Sequence, residues 1–584
     1  MSLRLRAVAL AVLVATPLAC QRTPPQARQP YNVLFVSLDT VRQDVLGTYG
    51  HRPRFAPDAS TSPALDRLAR EGVRMADAYS SSSWTLPSHL SMFTGMAPLA
   101  HGVESESGVL DPAIATMAEI LADHGYRTAG IYSAPFLDPH WGFGRGFATY
   151  TAVYGGEANA AAEHVAALRR ASEEAAAAAD WTRYDDAKRR QAEAERALND
   201  RSQTVVTSAE VAAAAVAELD ALAREGRPWF LFAHFFDAHC DYVPPPPWNR
   251  RFDPDYGGTF DGKNCMGGPA VGTPDPNEPG ALLRTIGERD LQHAYALYEG
   301  EVGWVDDHLG TILRALDRTG MAATTLVVVV SDHGEEFFEH AGLGHRRTLY
   351  EEVVRIPMVL RLPGVLPAGA TVDGPVSLTD LLPTVLEILG LPPAPTVDGA
   401  ASFLAALRKG RVDRPLLLRT VMMFGGEVRV DAGAPVALRQ VVVQDGFRQG
   451  PIKILRRRSW PQFQAGLATD VAAILGREAA AQYARETVRW IDLARAPDEP
   501  LAGYSADFDE PAARAALAAF RREYDTVLAR RAAEHRTSTL PRNVRSRLES
   551  LGYIERGGGP AFPEPDLVLP PPGGSAPADV TDTR

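Results

Sequence analysis

Short apolar runs alternate with segments of helical periodicity from residue 31 onward. 32-NVLFVSLDT-40 and 324-TTLVVVVSDHG-334 are continuously apolar and then turn polar, as buried parallel strands do at their ends. A third such strand is predicted within 226-GRPWFLFAHFFDAHCDY-242. Helices or helix–strand units are predicted between these strands, at 63–73, 114–133 and 289–320.

Strands that alternate with helices predict an α/β fold, in which a mostly parallel sheet is covered by helices on both faces. The pattern changes near residue 412. Three antiparallel strands and a covering helix are predicted beyond it, at 414–430, 438–447, 451–457 and 511–535. This second region is predicted to form a smaller C-terminal α+β domain.

The composition along the chain sets the predicted boundaries. We expect a catalytic domain over 31–411, a C-terminal subdomain over 412–555 and a disordered tail over 556–584, which is rich in Pro and Gly. Residues 157–205 interrupt the alternation with an Ala-, Glu- and Arg-rich stretch and are predicted to be a solvated helical insertion.

The N-terminus has the features of an export signal. Residues 1–20 carry Arg4 and Arg6, then an apolar run, then small residues before Cys20. This end resembles a bacterial lipoprotein cleavage site, with 21–30 as a linker, so we expect a lipid-anchored protein of the periplasm or outer membrane. The alternative is cleavage near Ala19 and a free periplasmic protein.

Charge and cysteine content narrow the function classes. The chain has 584 residues and a formal net charge of −12, which does not suggest nucleic-acid binding. If Cys20 is lipidated, Cys240 and Cys265 remain, and in an oxidising compartment they are expected to pair. The alternative is two unpaired buried thiols.

Polar side chains collect where the predicted strands end. In parallel sheets these ends meet at one edge, where ligands bind. The side chains concerned are those of Asp39, Asp237, His239, Asp332 and His333. Two carboxylates and an imidazole suit a divalent cation, which would neutralise acids that otherwise repel each other.

The segment 80-SSSSWTLPSHLSMFTG-95 places a hydroxyl at a predicted helix start. Pro87 suits the first helical turn, which puts Thr85 at or just before the N-terminus. Free N–H groups there favour an anion, and a hydroxyl held by a metal can act as a nucleophile. The alternative is that Thr85 is simply the N-cap residue.

Several motifs, in order, resemble the sulfatase family of the alkaline-phosphatase superfamily. They cover most of residues 31–400 and part of the C-terminal region. The segments are 32-NVLFVSLDTVRQDVLGTYG-50, 61-TSPALDRLAREGVRMADAYSSSSWTLPSHLSMFTG-95, 230-FLFAHFFDAHCDYVPPPP-247, 331-SDHGEEFFEHAGLGHRRTLYEEVVRIPMVLRLPG-364, 379-TDLLPTVLEILGLPPAPTVDG-399 and 540-LPRNVRSRLESLGYI-554.

The resemblance implies a role for each matching residue. Asp39, Asp332 and His333 match metal ligands, and Thr85 occupies the nucleophile position. His239 matches the histidine that binds the substrate anion or protonates the leaving group. His345 matches a cationic or metal-binding position, and His89 stands where the family has Arg, so both are expected to add positive charge.

Departures from the family pattern bear on the chemistry. Thr85 replaces the Cys or Ser that sulfatases convert to formylglycine, so we expect no formylglycine here. Phosphate-handling relatives use Thr and often two metals, so Asp237, His239 and His345 could form a second site. The alternative is that Asp237 orients His239. The imidazole ligand fits Zn²⁺ or Mn²⁺, while the resemblance points to Ca²⁺.

The sequence therefore predicts a metal-dependent hydrolase of sulfate or phosphate esters that uses Thr85 as a metal-bound nucleophile. The expected partner is an anionic ester, glycan- or lipid-linked. Two other readings stay open: a phosphodiesterase or phosphoethanolamine-type transferase of the cell envelope, and a non-catalytic glycan-binding lipoprotein. Substrate and oligomeric state are not readable from the sequence.

Overall fold

The computed structural model describes most of the chain. The described residues are 30–153, 206–263, 272–274, 282–394, 400–429, 435–463, 485–531 and 538–541, with isolated positions in 164–194 and 544–548. The chain divides into two units, Met1–Pro30 and Tyr31–Arg584. The predicted signal segment with Cys20, the linker up to residue 29, Cys265 and the predicted tail lie outside the described residues.

The strands are numbered in chain order. They are β1 (Asn32–Leu38), β2 (Val73–Tyr79), β3 (Arg127–Tyr132), β4 (Thr149–Ala152), β5 (Trp229–Phe235), β6 (Gly272–Pro274), β7 (Leu282–Arg284), β8 (Thr325–Ser331), β9 (Glu336–Phe337), β10 (Leu343–Gly344), β11 (Arg355–Ile356), β12 (Met358–Arg361), β13 (Ala370–Ser377), β14 (Leu416–Arg429), β15 (Pro435–Gln449), β16 (Ile452–Phe463) and β17 (Arg485–Asp492).

The α-helices of the described residues are numbered in the same way. They are α1 (Pro63–Glu71), α2 (Thr85–Thr94), α3 (Pro98–His101), α4 (Met117–Asp123), α5 (Ser208–Glu225), α6 (Trp248–Arg251), α7 (Glu288–Arg318), α8 (Glu351–Val354), α9 (Leu381–Leu389), α10 (Leu404–Lys409) and α11 (Pro511–Ala529). None of the helices that are described has both the length and the apolarity needed to cross a membrane.

The central sheet has the predicted α/β architecture. Its strand order is β11-β2-β12-β8-β1-β5-β3-β4, and β13 also pairs with β2. Strand β1 lies in the middle and runs parallel to both neighbours, β5 and β8. Strands β11 and β12 are antiparallel to β2. The mostly parallel sheet expected from the apolar runs is therefore confirmed.

Alternate residues of β1 enter two different cores, which explains why the strand is apolar throughout. Val33 and Phe35 pack in one core, with side chains of α2, α4 and α9. Leu34 and Val36 pack in the other, with side chains of α1, α5 and α7. Since both faces are covered by helices, no position of the strand meets water.

The C-terminal region forms a separate antiparallel sheet in the order β14-β15-β16-β17. Helix α11 covers it, and the ring of Phe520 lies 5.5 Å from that of Phe447 on β15. The sequence analysis identified the first three strands and the helix. It did not identify β17 from its local pattern, because 485-RETVRWID-492 mixes charged and apolar residues without a continuous apolar run.

Buried charges join this sheet to the central domain. The amino group of Lys453, on β16, lies 2.9 Å from a carboxylate oxygen of Glu351 and 2.7 Å from one of Glu499. Nearby, Nδ1 of His340 lies 2.5 Å from Glu352. Because all these groups are largely buried, each charge depends on its partner.

Cys240 is disulfide-bonded, as the cysteine count suggested. Isolated positions between 164 and 194 are described, most of them as helix, and the predicted insertion as a whole lies outside the described residues.

The His340–Glu352 pair gives a pH-dependent contribution to stability. Burial alone would lower the pKa of His340, but the hydrogen bond to Glu352 prevails and raises it to about 9. A raised folded pKa stabilises the protein fully below the unfolded value of about 6.5, and this contribution is lost as the pH rises through about 9. We expect His340→Gln to lower the unfolding free energy by about 1–2 kcal/mol at pH 6.5, after allowance for solvent screening.

The difference should shrink toward pH 10, and urea denaturation across this pH range measures it. His124→Gln is the matched control, because Nδ1 of His124 bonds to the carbonyl oxygen of Ile120 rather than to an acid. A His340→Gln penalty that stays constant from pH 6.5 to 10 would contradict the expected ion pair.

Candidate active site

The sheet register brings Asp39 and Asp332 to the same edge. Leu38 at the end of β1 pairs with Ser331 at the end of β8, so the next residue of each strand is an aspartate. The backbone N–H of Thr40 donates to Asp332 at 3.2 Å, which holds the two strand ends together. The strand-end prediction is thus realised for these two acids.

Asp39, Asp332 and His333 form a compact group of potential metal ligands. One ligand atom from each lies within 4.8 Å of the others, and all three residues are buried. Nε2 of His333 is 3.6 Å from Asp39 and 3.3 Å from Asp332. Nδ1 of His333 donates to the carbonyl oxygen of Gly334 at 3.0 Å, which leaves the lone pair of a neutral ring on Nε2.

This group fits a divalent cation. Both carboxylate oxygens of Asp39 and Oδ2 of Asp332 are buried and accept no hydrogen bond. Burial and the nearby charge of Glu335 raise the pKa of Asp39, and burial and Asp39 raise that of Asp332. Separations of 3.3 to 3.6 Å match those between ligands around an ion with bonds of about 2.0–2.4 Å, a range that includes both Zn²⁺ and Ca²⁺.

Thr85 lies against the same group. It is the first residue of α2, and Trp84 is the N-cap residue. The hydroxyl oxygen of Thr85 is 3.4 Å from Nε2 of His333. The alternative that Thr85 merely caps the helix does not hold, because the capping position belongs to its neighbour and the hydroxyl faces the ligand group.

His89 does not supply the positive charge expected from its position in the motif. Nδ1 bonds to the carbonyl oxygen of Thr85 at 2.9 Å, and Nε2 lies 2.9 Å from the hydroxyl of Ser37. Burial, together with the neighbouring ring of His234, lowers its pKa well below the usual value. The neutral ring of His89 therefore links the first residue of α2 to Ser37 of β1.

The rings of His239 and His345 lie next to each other at the site. The ring of His345 lies 4.4 Å from that of His333 and 4.8 Å from that of His239. Nδ1 of His239 donates to the carbonyl oxygen of Cys240 at 2.6 Å, which assigns the lone pair of a neutral ring to Nε2.

Both rings are neutral in the absence of a bound anion. Burial and the neighbouring His345 lower the pKa of His239 to about 3. Burial and the guanidinium groups of Arg346 and Arg347 lower that of His345 to about 3. The positive charge expected of His345 is therefore absent in this state, although its position beside the ligands is as expected.

Two groups at the site were missed from the sequence. Glu335 accepts from Nδ1 of His345 at 2.5 Å and from the hydroxyl of Tyr242 at 2.8 Å, and burial raises its pKa to about 7. His234 lies on β5 with Nε2 3.3 Å from Asp39. A histidine inside the apolar run 229-WFLFAHF-235 was the available signal, since a buried strand rarely carries one without a partner.

The second metal site considered from the sequence is not assembled in the described structure. Asp237 accepts hydrogen bonds from the backbone of Thr207 and Ser208 and from the Thr207 hydroxyl, which places it at the N-terminus of α5. Trp304 donates to it at 3.1 Å. Among the described residues, the group of Asp39, Asp332 and His333 is the one with metal-ligand spacing. Both carboxylate oxygens of Asp237 thus accept hydrogen bonds from α5, from Thr207 before it, and from Trp304.

Comparisons with known proteins identify the family of the chain. The sulfatase family model matches residues 31–391. An uncharacterized sulfatase of Escherichia coli, YidJ, is 25% identical over 361 residues, which cover 61% of this chain and 67% of that protein.

Solved structures share the fold. The phosphonate monoester hydrolase of Agrobacterium radiobacter has a TM-score of 0.54 at 20% identity, covering 92% of this chain and 100% of that one. A structure in complex with its substrate D-glucosamine-2-N,6-O-disulfate has a TM-score of 0.56 at 16% identity, with coverages of 85% and 98%.

Asp39→Asn tests whether the acidic pair holds a cation. The substitution removes a repelling charge, so we expect the metal-free protein to be at least as stable as the original. It also removes a ligand, so added metal should no longer stabilise the folded protein. In the original protein this stabilisation amounts to ~2.7 kcal/mol when the free metal concentration is about 100 times the dissociation constant. Thermal unfolding with chelator and with added Ca²⁺ or Zn²⁺ measures both effects, and an unchanged metal-induced rise in Tm would count against the site.

Asp237→Asn tests the opposite role. We expect a loss of about 1–3 kcal/mol in unfolding free energy, because the N-terminus of α5 loses a charged acceptor for its N–H groups. Metal content should not change. Urea denaturation and elemental analysis check the two outcomes, and a loss of bound metal without a loss of stability would restore the second-site interpretation.

Proposed function

This chain belongs to the sulfatase family and is a hydrolase of sulfuric or phosphoric esters, and we propose that Thr85 is its nucleophile. One observation carries the proposal: the Thr85 hydroxyl lies at a helix N-terminus, 3.4 Å from Nε2 of His333, within the group of unsatisfied acids. The partners of this hydroxyl, His333 and Asp39, are themselves members of the ligand group.

Asp39, Asp332, His333 and Thr85 are the residues that would hold a divalent cation. When bound, such an ion lowers the pKa of a nearby hydroxyl and neutralises charge on the ester oxygens. The N–H groups at the start of α2 bind the same anion, since the first turn of a helix has no internal acceptors for them. Together these groups orient the ester for in-line attack by the Thr85 oxygen.

His239 serves as the proton donor for the leaving oxygen in this proposal. Its Nδ1–H is fixed on the carbonyl oxygen of Cys240, so Nε2 is the nitrogen that exchanges a proton with the substrate. Because the neutral ring has its lone pair on Nε2, that nitrogen first takes up the proton released by the Thr85 hydroxyl and then passes it to the leaving oxygen. His345 binds the ester oxygens from the other side, with its ring fixed by Glu335.

Hydrolysis ends with the attack of water on the sulfur or phosphorus of the covalent Thr85 ester. His239 takes the proton of that water and returns it to the Thr85 oxygen as the ester bond to Thr85 breaks. No formylglycine takes part, because oxidation of threonine does not give the aldehyde. An acceptor hydroxyl in place of water would make the protein a transferase, which is the alternative for an enzyme of the cell envelope.

The proposed substrate is an anionic ester that is glycan- or lipid-linked. The resemblance of the fold to a structure with a disulfated glucosamine supports a sulfated glycan, and that to a phosphonate monoester hydrolase supports phosphorus esters. We propose that a lipid on Cys20 anchors the protein outside the cytoplasm, on the grounds of the signal pattern in residues 1–20.

Thr85→Ala should lower kcat by about a thousandfold or more, because no other hydroxyl takes its place as nucleophile. Thr85→Ser should retain a measurable fraction. The assay is a screen of sulfate monoesters, phosphate monoesters, phosphodiesters and phosphonates with the metal-loaded protein. Mass analysis of the Thr85 peptide after rapid quenching should show the sulfated or phosphorylated residue.

Thr94→Ala is the matched control, since Thr94 lies at the other end of α2 and its hydroxyl donates to the carbonyl oxygen of Leu90. Its kcat should stay close to that of the original protein. A wild-type protein without turnover on any of these esters, but with retained glycan binding, would favour the non-catalytic lipoprotein instead.

A further inference from the structure

A group of arginine side chains lies between the C-terminal sheet and helix α11. Asp445 on β15 pairs in register with Arg419 of β14 on one side and with Arg456 of β16 on the other. Arg458 follows Arg456 by two residues and so points to the same face of the sheet. The guanidinium carbon of Arg456 lies 4.2 Å from the ring centre of Tyr524 on α11. These residues therefore meet in the layer between the sheet and the helix.

The carboxylate of Asp445 is shared by three of these arginines. Its Oδ1 lies 2.6 Å from Nη1 of Arg419, and its Oδ2 lies 2.8 Å from Nη2 of Arg456 and 3.2 Å from Nη2 of Arg458. Burial alone would raise the pKa of Asp445, but the three guanidinium groups prevail and lower it to about 2. One ionised carboxylate thus faces three cations in a place where little water reaches.

Glu104, from the loop after α3, connects the group to a fourth arginine. Its Oε1 pairs with Arg419, and its Oε2 lies 3.7 Å from Nη1 of Arg531, just beyond the end of α11. At that distance the two atoms form no hydrogen bond, and both are buried without a hydrogen-bond partner. Four guanidinium groups thus share the carboxylates of Asp445 and Glu104 in the part of the chain that the structure describes.

Arg458 is the arginine of this group with the least support from the protein. Its side chain is 3% exposed, and its Nε and Nη1 are buried and donate to no acceptor among the described residues. Its Nη2 reaches Asp445 and, at 3.4 Å, the hydroxyl of Tyr524. The neighbour of Arg458 across β17, Glu486, is exposed and forms no ion pair with it in the described structure. A buried charge with unpaired N–H groups is unfavourable unless a further partner binds.

The other face of the same sheet carries a buried cation that the protein supplies with enough acid. Lys453 of β16 is fully buried, and its amino group pairs with the carboxylates of Glu351 and Glu499. There two acids serve one cation. At the arginine group the cations outnumber the acids, so the charge is balanced only when an anion joins them.

We propose that the arginine group binds an inorganic oxyanion with two negative charges, sulfate or hydrogen phosphate, and that Arg458 is its principal donor. Such an anion accepts from the N–H groups of Arg458 that lack an acceptor, and it neutralises the excess positive charge. Water would satisfy these N–H groups but would leave the charge unbalanced. Arg456 and Arg531 are each 13% exposed, so the group is open to solvent at these two side chains. The proposal does not depend on the role of Thr85.

Thermal unfolding and calorimetry with sodium sulfate test the proposal on the full-length, chelator-treated protein. In chloride alone, Arg458→Met should be at least as stable as the original protein, because an unpaired buried charge is removed. Sulfate should raise the Tm of the original protein in a saturable way, by mass action. Arg458→Met should raise the dissociation constant for sulfate at least about tenfold, since charge-assisted hydrogen bonds are lost.

Asp445→Asn acts in the opposite direction and covers the case in which Arg458→Met does not fold. The substitution removes an acid from the group, so the Tm in chloride should fall and the sulfate-induced rise should exceed that of the original protein. Hydrogen phosphate in mild base should replace sulfate, whereas chloride at equal ionic strength should not.

Arg495→Met is the matched control, since Arg495 lies in the same domain but is 68% exposed in its pair with Glu510. Its response to sulfate should equal that of the original protein. In crystals, selenate located by its anomalous signal should lie against Arg458. A saturable sulfate response that Arg458→Met retains, or selenate found only beside Thr85, overturns the proposal. An equal loss of Tm in Arg458→Met with and without sulfate also overturns it, because Arg458 would then serve only its pair with Asp445.

Discussion

The repulsion between Asp39 and Asp332 is the constraint on which the site depends. The parallel register of β1 and β8 forces the two carboxylates to emerge side by side, and both oxygens of Asp39 and Oδ2 of Asp332 are buried there without a hydrogen-bond donor. Oδ1 of Asp332 accepts backbone N–H bonds from Thr40 and His333. Two buried acids this close together do not both carry a charge without a counterion. The cation proposed for this site would remove that repulsion.

The histidines of the site share one design. In His89, His239, His333 and His345, Nδ1 is engaged by a carbonyl or carboxylate oxygen of the protein. Each ring is thereby fixed in orientation, and Nε2 is the nitrogen left to face the ligand group, the substrate or, for His89, Ser37. Backbone carbonyl oxygens make most of these contacts, so the path of the main chain determines the orientation of the imidazole rings.

The sequence predicted the parts of the fold and of the site that depend on local residue patterns and on the residues at strand ends. Apolar runs located β1, β5 and β8, and their polar ends located Asp39, Asp332 and His333. Pro87 located the start of α2 and so the place of Thr85. The contacts of Asp237 with Thr207 and Ser208 were not predicted, because about 30 residues separate these partners and nothing in the residues around Asp237 reveals them. Glu335 was missed for the same reason, since its partners His345 and Tyr242 meet it only in the folded chain.

The disulfide at Cys240 gives the site a dependence on oxidation chemistry. The carbonyl oxygen that fixes His239 belongs to this same residue, and the ring of His239 is otherwise steadied by stacking on Phe236, 4.5 Å away. Where thiols are kept reduced, the disulfide at Cys240 is missing. The backbone carbonyl that holds the imidazole of His239 is then less firmly positioned. The position of the proposed proton donor is thus linked to the redox state of Cys240.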